Sequence, residues 1–134
     1  MEEFFLRSAG QGRSLALAEN PARRIRIDPA SFTERENFSP TDLLALAFAS
    51  CVLASMEALL KKNGFSPMDF EIRVIKEMSP PPRRISALTL EVLQPIVSDE
   101  EMRNLLRKAM DLCPVKRSLS EEIRMSLQFL EAEV

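Results

Sequence analysis

With 134 residues the chain is long enough for one domain with a real core but not for two. A formal charge of -2 and the lack of Trp and Tyr give nucleic acid neither an electrostatic footprint nor a stacking platform. The absence of His removes Ser-His and Cys-His nucleophiles and His-metal centres, and two Cys are too few for a structural zinc site or a disulfide framework. A redox pair stays open, as do two packed cysteines. The sequence opens without a signal-peptide pattern, so the expected compartment is the cytoplasm, with no membrane partner.

In chain order, residues 2–7 (EEFFLR) and 13–19 (RSLALAE) read as strands around Gly10 and Gly12, a hairpin signal. A third short strand is predicted over 24–28, where Ile25 and Ile27 alternate with charged residues until Pro29. Residues 29–38 are polar and irregular, and carry Arg35 toward a long helix.

That helix occupies FSPTDLLALAFASCVLASMEALLKKNG, residues 38–64, and is the spine of the expected core. Ser39 suits the N-cap, Pro40 the first helical position and Asp42 the acid of a capping box. Lys61 and Lys62 suit the negative end of the dipole, and Asn63 and Gly64 can close it in a left-handed turn. Residues 43–56 carry no charge and are apolar or small on every side, as in a helix surrounded by neighbours. The run falls short of the roughly 18 apolar residues that a bilayer span takes. Such a helix needs more cover than one small sheet provides, which points to a homodimer that packs two of them together.

Residues 69–78 and 85–93 are the next strands, joined by SPPPRR at 79–84. A proline run between two strands reads as a stiff connection rather than a polyproline ligand. Ser98, with Glu101 as its capping partner, is predicted to open a second helix whose apolar face carries Met102, Leu105, Leu106, Ala109 and Cys113. Pro114 is predicted to halt it. A basic link over 115–117 then leads to a last strand at 121–130. Three strands, helix, two strands, helix, strand is an α+β order with mostly antiparallel sheet, in a single domain spanning 1–134.

Cys51 lies about three turns inside its helix, beyond the first turn where the dipole is felt. Its helical neighbours Ala47, Phe48, Ala54 and Ser55 supply no cation, so a thiolate there needs one from elsewhere. Cys113 is placed near a helix C-terminus, where the dipole disfavours negative charge. That makes it a poor first nucleophile, yet it can serve as the second sulfur of a pair.

The combination SPTDLLALAFASC, then an apolar helix closed by KKNG, a PRRI strand start and a CPVKRSL turn resembles the OsmC/Ohr family of thiol-dependent hydroperoxide reductases, over about residues 28–127. The resemblance implies an OsmC-like fold in an intertwined homodimer, with the cysteine-bearing helices at its centre. It implies Cys51 as the peroxide-attacking cysteine, Cys113 as the resolving one, and a loop arginine that holds the thiolate. Arg35 is the candidate for that cation, with Arg13, Arg24 and Arg26 behind it. The implied substrates are small organic hydroperoxides, favoured by apolar surroundings that include Phe48. The reductant is an external dithiol, and no metal or organic cofactor is involved. Where typical members carry a glutamate ten residues before the attacking cysteine, this chain has Thr41, with Asp42 beside it. Asp42 either takes over the orienting task or only caps the helix, and its position explains capping fully. Two other readings are a non-catalytic dimer of the same fold, acting as a redox sensor or a carrier of a small apolar ligand, and a metal held by cysteines across a dimer.

Overall fold

The computed structural model describes residues 4–9, 12–17, 20–27, 38–65, 71–94 and 100–131. The chain divides into two compact units, Met1–Leu44 and Ala45–Val134. In the first, β1 (Phe4–Ala9), β2 (Gly12–Leu17) and β3 (Asn20–Ile27) form an antiparallel sheet in the order β1-β2-β3. The hairpin expected from the two glycines is present, with Ala9 opposite Gly12. β3 begins earlier than predicted, and Pro21 is tolerated there because β3 is an edge strand that pairs, among the described residues, with β2 alone.

α1 (Pro40–Lys62) starts and stops on the predicted signals. The Ser39 N–H donates to Asp42 Oδ2 at 3.0 Å, while the Asp42 N–H donates to Ser39 Oγ at 3.2 Å, a reciprocal capping box. At the other end the Phe65 N–H reaches the Leu60 carbonyl at 3.0 Å and the Gly64 N–H that of Lys61 at 3.2 Å. This pair of bonds needs one left-handed residue, and Gly64 provides it at φ 83°. Asn63 instead donates its side-chain amide to the Leu59 carbonyl.

In the second unit β4 (Glu71–Met78), β5 (Ile85–Gln94) and β6 (Arg124–Glu131) form a sheet in the order β4-β5-β6. β4 and β5 are antiparallel, joined across 79–84 by the Ser79 N–H bond to the Arg84 carbonyl at 2.8 Å. The prolines thus sit in a closed, exposed connection between the two strands. β5 and β6 run parallel, so the sheet is mixed. Their connection passes through α2 (Glu100–Leu112) and α3 (Pro114–Ser118), the kind of helical crossover that parallel neighbours require. Two helices occupy the stretch for which one was expected: the link over 115–117 is helical, and Pro114 opens α3 as well as ending α2. The predicted cap at Ser98 lies outside the described residues.

The core of this unit packs Phe48, Val52, Met56 and Leu60 of α1 with Leu88, Leu90 and Val92 of β5 and Met102, Leu106 and Ala109 of α2. Burying each large apolar side chain contributes roughly 1.5–3 kcal/mol before cavity and strain effects. α2 is tied to the sheet at its polar edge as well, with the Arg103 and Arg107 guanidinium groups over the Phe129 ring at 5.7 and 5.4 Å. The charge-free run of 43–56 undercounts α1. The full 23-residue helix is long and apolar enough, by length and composition, to cross a membrane. Here it instead lays one face into the core, while Leu46, Ala47, Ser50, Ala54 and Ala58 on another face are exposed.

Candidate functional site

The site grows from two helical positions. On α1, at about 100° per residue, Phe48, Val52 and Met56 define the buried side, and Leu46, Ser50 and Ala54 the exposed arc. Cys51 falls on the seam between them and is half-buried. Its turn is tightened from below by Ser55, whose Oγ donates to the Cys51 carbonyl at 3.1 Å. Phe48, one turn earlier, is 0% exposed and packs in the core.

Cys113 stands at the junction of α2 and α3 and is 0% exposed. Its N–H closes the last turn of α2 on the Met110 carbonyl at 3.3 Å, and its carbonyl receives the Arg117 N–H at 3.1 Å. As the N-cap of α3 its Sγ accepts from the Lys116 N–H at 3.4 Å. Sequence reasoning saw only the C-terminus of α2 at this position. The missed signal was Cys-Pro itself, a capping residue followed by the proline that suits a first helical position. The elbow is clasped by Lys116 Nζ and Asp111 Oδ1 at 2.7 Å.

The fold brings the two cysteines together. Both are free, and the two side chains lie near enough to influence each other electrostatically. Burial first, and then the nearby Cys51 side chain, push the Cys113 thiol above its ordinary range. The N–H groups of Lys116 and Val115 pull in the opposite direction and are outweighed. Cys113 therefore keeps its proton at neutral pH, close to the other cysteine and out of solvent.

The other expected site residues are placed less directly. Arg35 lies outside the described residues. Arg13, Arg24 and Arg26 lie on β2 and β3, opposite Ile27, Ala16 and Ser14 respectively. Asp42 caps α1, as its spacing from Ser39 predicts. Among the described residues no three metal-ligating side chains converge.

An α+β chain with a mixed sheet, a long helix and two thiols near each other defines a class of cysteine-pair proteins. The sequence pattern of OsmC-like protein matches residues 33–128, and the chain belongs to that family. No match was found among the curated proteins. Among solved structures, a protein from Psychrobacter arcticus 273-4, assigned to osmotic stress induction and detoxification response, shares 23% identity. The alignment covers 97% of this chain and 96% of that one, with a TM-score of 0.86. The organic hydroperoxide resistance protein OhrB of Bacillus subtilis shares 17% identity over 97% of this chain and 98% of its own, with a TM-score of 0.76. An OsmC-like protein from Mycoplasma pneumoniae shares 12% identity over 99% and 98%, with a TM-score of 0.81. At these identities the structural likeness establishes the OsmC/Ohr fold.

Proposed function

We propose that this OsmC-like protein reduces organic hydroperoxides through Cys51 and Cys113. The observation that carries the reading is the proximity of the two reduced side chains, one half-buried on α1 and the other fully buried at the α2–α3 junction. A Cys113 thiol held in its protonated form can donate to a Cys51 thiolate, which is the charge state the first step needs. The Cys51 thiolate attacks the terminal oxygen of the hydroperoxide, the O–O bond breaks, and the alcohol departs after taking a proton, leaving a sulfenic acid. Cys113 then attacks that sulfur and expels water, which forms the disulfide. A dithiol returns both cysteines to the thiol state, so the cycle turns over in a reducing compartment, the cytoplasm, without metal or organic cofactor.

Arg35 is the cation assigned to the thiolate and to the charge on the departing oxygen. Apolar surroundings that include Phe48 favour organic peroxides over hydrogen peroxide. The exposed arc of α1, with Leu46, Ala47, Ser50 and Ala54, suits a second copy of the chain, and a homodimer of single domains spanning 1–134 is part of the proposal.

A few equivalents of cumene hydroperoxide, followed by a count of free thiols, test it. Wild-type protein loses both thiols rapidly, and Cys51→Ser keeps Cys113 reduced. Thiols that persist in the native protein but react after unfolding overturn the enzymatic reading and leave two packed cysteines.

A further inference from the structure

One atom of Cys113 has two tasks. Its Sγ is the sulfur paired with Cys51 in the proposed cycle, and it is also the N-cap acceptor of α3, taking the Lys116 N–H at 3.4 Å. α3 has little else to hold it. Five residues are too few for helix propagation to offset the cost of nucleation, and no residue of α3 is fully buried. Val115 and Leu119 are only partly buried against the core. The Arg117 N–H reaches the Cys113 carbonyl at 3.1 Å, the Leu119 N–H that of Lys116 at 3.2 Å, and Ser118 Oγ that of Pro114 at 2.8 Å. These bonds belong to the turn itself and are lost together when it opens. The tie from Lys116 back to α2 ends on Asp111, whose side chain is 74% exposed, and an ion pair in that setting stabilises little.

Oxidation sets the two tasks against each other. Cys51 lies in the middle of a continuous 23-residue helix, whereas Cys113 stands at a junction between two helices, so the Cys113 end is the one that gives. A covalent sulfur–sulfur bond is much shorter than the separation of two unbonded sulfurs, and forming it draws Cys113 Sγ toward α1 and off the Lys116 N–H. We propose that oxidation of the pair uncaps α3, which is folded in the dithiol state and opens in the disulfide state. The proposal rests on the redox-pair reading and adds to it a regulation of the same site. When the disulfide forms, two S–H bonds are replaced by one S–S bond, and the two protons and two electrons pass to a hydroperoxide, which becomes alcohol and water. The opened turn frees the 114–118 backbone and releases Lys116 from Asp111. It thereby presents Lys116 and Arg117 as an unfolded basic segment in the oxidised protein alone, and reports outside the core the state of a sulfur that is 0% exposed.

Backbone amide exchange on the full-length protein tests this, with the disulfide made by diamide so that the outcome does not depend on peroxidase activity. Diamide takes up the two electrons and two protons and becomes a hydrazine. The Lys116, Arg117 and Leu119 amides should exchange at least about fivefold faster in the disulfide form than in the dithiol form, the factor that loss of one cap gives. The Leu90 amide, on β5, serves as the control that stays unchanged. Cys113→Ser keeps an acceptor at the cap and should be protected with or without diamide, while Cys113→Ala should exchange as fast as the oxidised protein with no oxidant present. Brief trypsin digestion is a second readout, with cleavage after Lys116 and Arg117 at least about fivefold faster in the disulfide form. A disulfide that forms and leaves exchange and cleavage over 114–119 unchanged overturns the switch and spares the redox pair. Failure of diamide to link the two cysteines overturns both. Failure of cumene hydroperoxide to oxidise thiols that diamide does oxidise sinks the peroxidase reading alone.

Discussion

Replacing Asp42 by Ala separates a helix cap from a component of the active site. Asp42 Oδ2 accepts the Ser39 N–H at 3.0 Å, and Ser39 is 0% exposed, so that donor loses its partner in a place water does not reach. An orphaned buried donor costs about 1–3 kcal/mol. Loss of a carboxylate from the first turn of a helix adds roughly 0.3–1 kcal/mol. We expect a total near 2 kcal/mol, and a change to Asn, which keeps an acceptor oxygen and removes the charge, should cost only the smaller dipole part. Urea unfolding followed by circular dichroism gives both numbers. With a slope of about 2 kcal/mol per molar urea, Asp42→Ala lowers the midpoint by about 1 M. In parallel, the rate at which cumene hydroperoxide consumes thiols should stay within about twofold of wild type, since a cap acts on the helix and not on a reacting atom. A variant of wild-type stability that oxidises ten or more times more slowly would refute the capping account and make Asp42 the orienting acid.

Gly64→Ala tests the other end of the same helix. A Cβ there meets nothing within 4 Å, so the cost is the left-handed φ of 83° alone, about 1 kcal/mol, and Gly64→Asn should lose less. Cys113 sets a pH dependence whose sign follows from its raised thiol. Below the ordinary thiol range of about 8.5 both the native and the unfolded chain hold the proton. Above it the unfolded chain loses the proton first, so stability falls as pH rises until the native thiol ionises too, by no more than about 1.4 kcal/mol per pH unit. Urea midpoints between pH 8 and 10 should fall less steeply in Cys113→Ser, and an unchanged slope would contradict the assignment.

Much of the fold could be read from local chemistry. The limits of α1 follow from Ser39, Asp42 and Gly64, because capping bonds join residues only three to five apart and leave a pattern in the sequence. The alternation of Leu88, Leu90 and Val92 marked β5 for the same reason. Strand direction was less accessible. The parallel pairing of β5 with β6 depends on how the α2–α3 crossover returns the chain, which no period-two pattern records. α3 was missed because five residues are too few for helical periodicity, and Pro114 can mark a stop or a start. At the site, the pairing of Cys51 with Cys113 was legible only as a combination of two distant motifs. The burial of Cys113 follows from its place on the apolar face of α2, whereas the position of Cys51 on a seam depends on packing and was not legible.

The chemistry of Cys113 follows from serving two helices at once. A thiol at the end of α2 alone would face carbonyl groups, which repel a thiolate, and a thiol at the start of α3 alone would face amide groups, which attract one. At the junction it meets both, and complete burial then decides in favour of the protonated form. For a resolving sulfur that balance is useful. In the proposed cycle the proton keeps Cys113 from competing with Cys51 for peroxide, and proximity makes the effective concentration of the second thiol high once Cys51 is oxidised. The Lys116 amide remains available whenever Cys113 must carry charge. The half-buried Cys51 is the outer sulfur, and the helix junction holds the inner one protonated and near it.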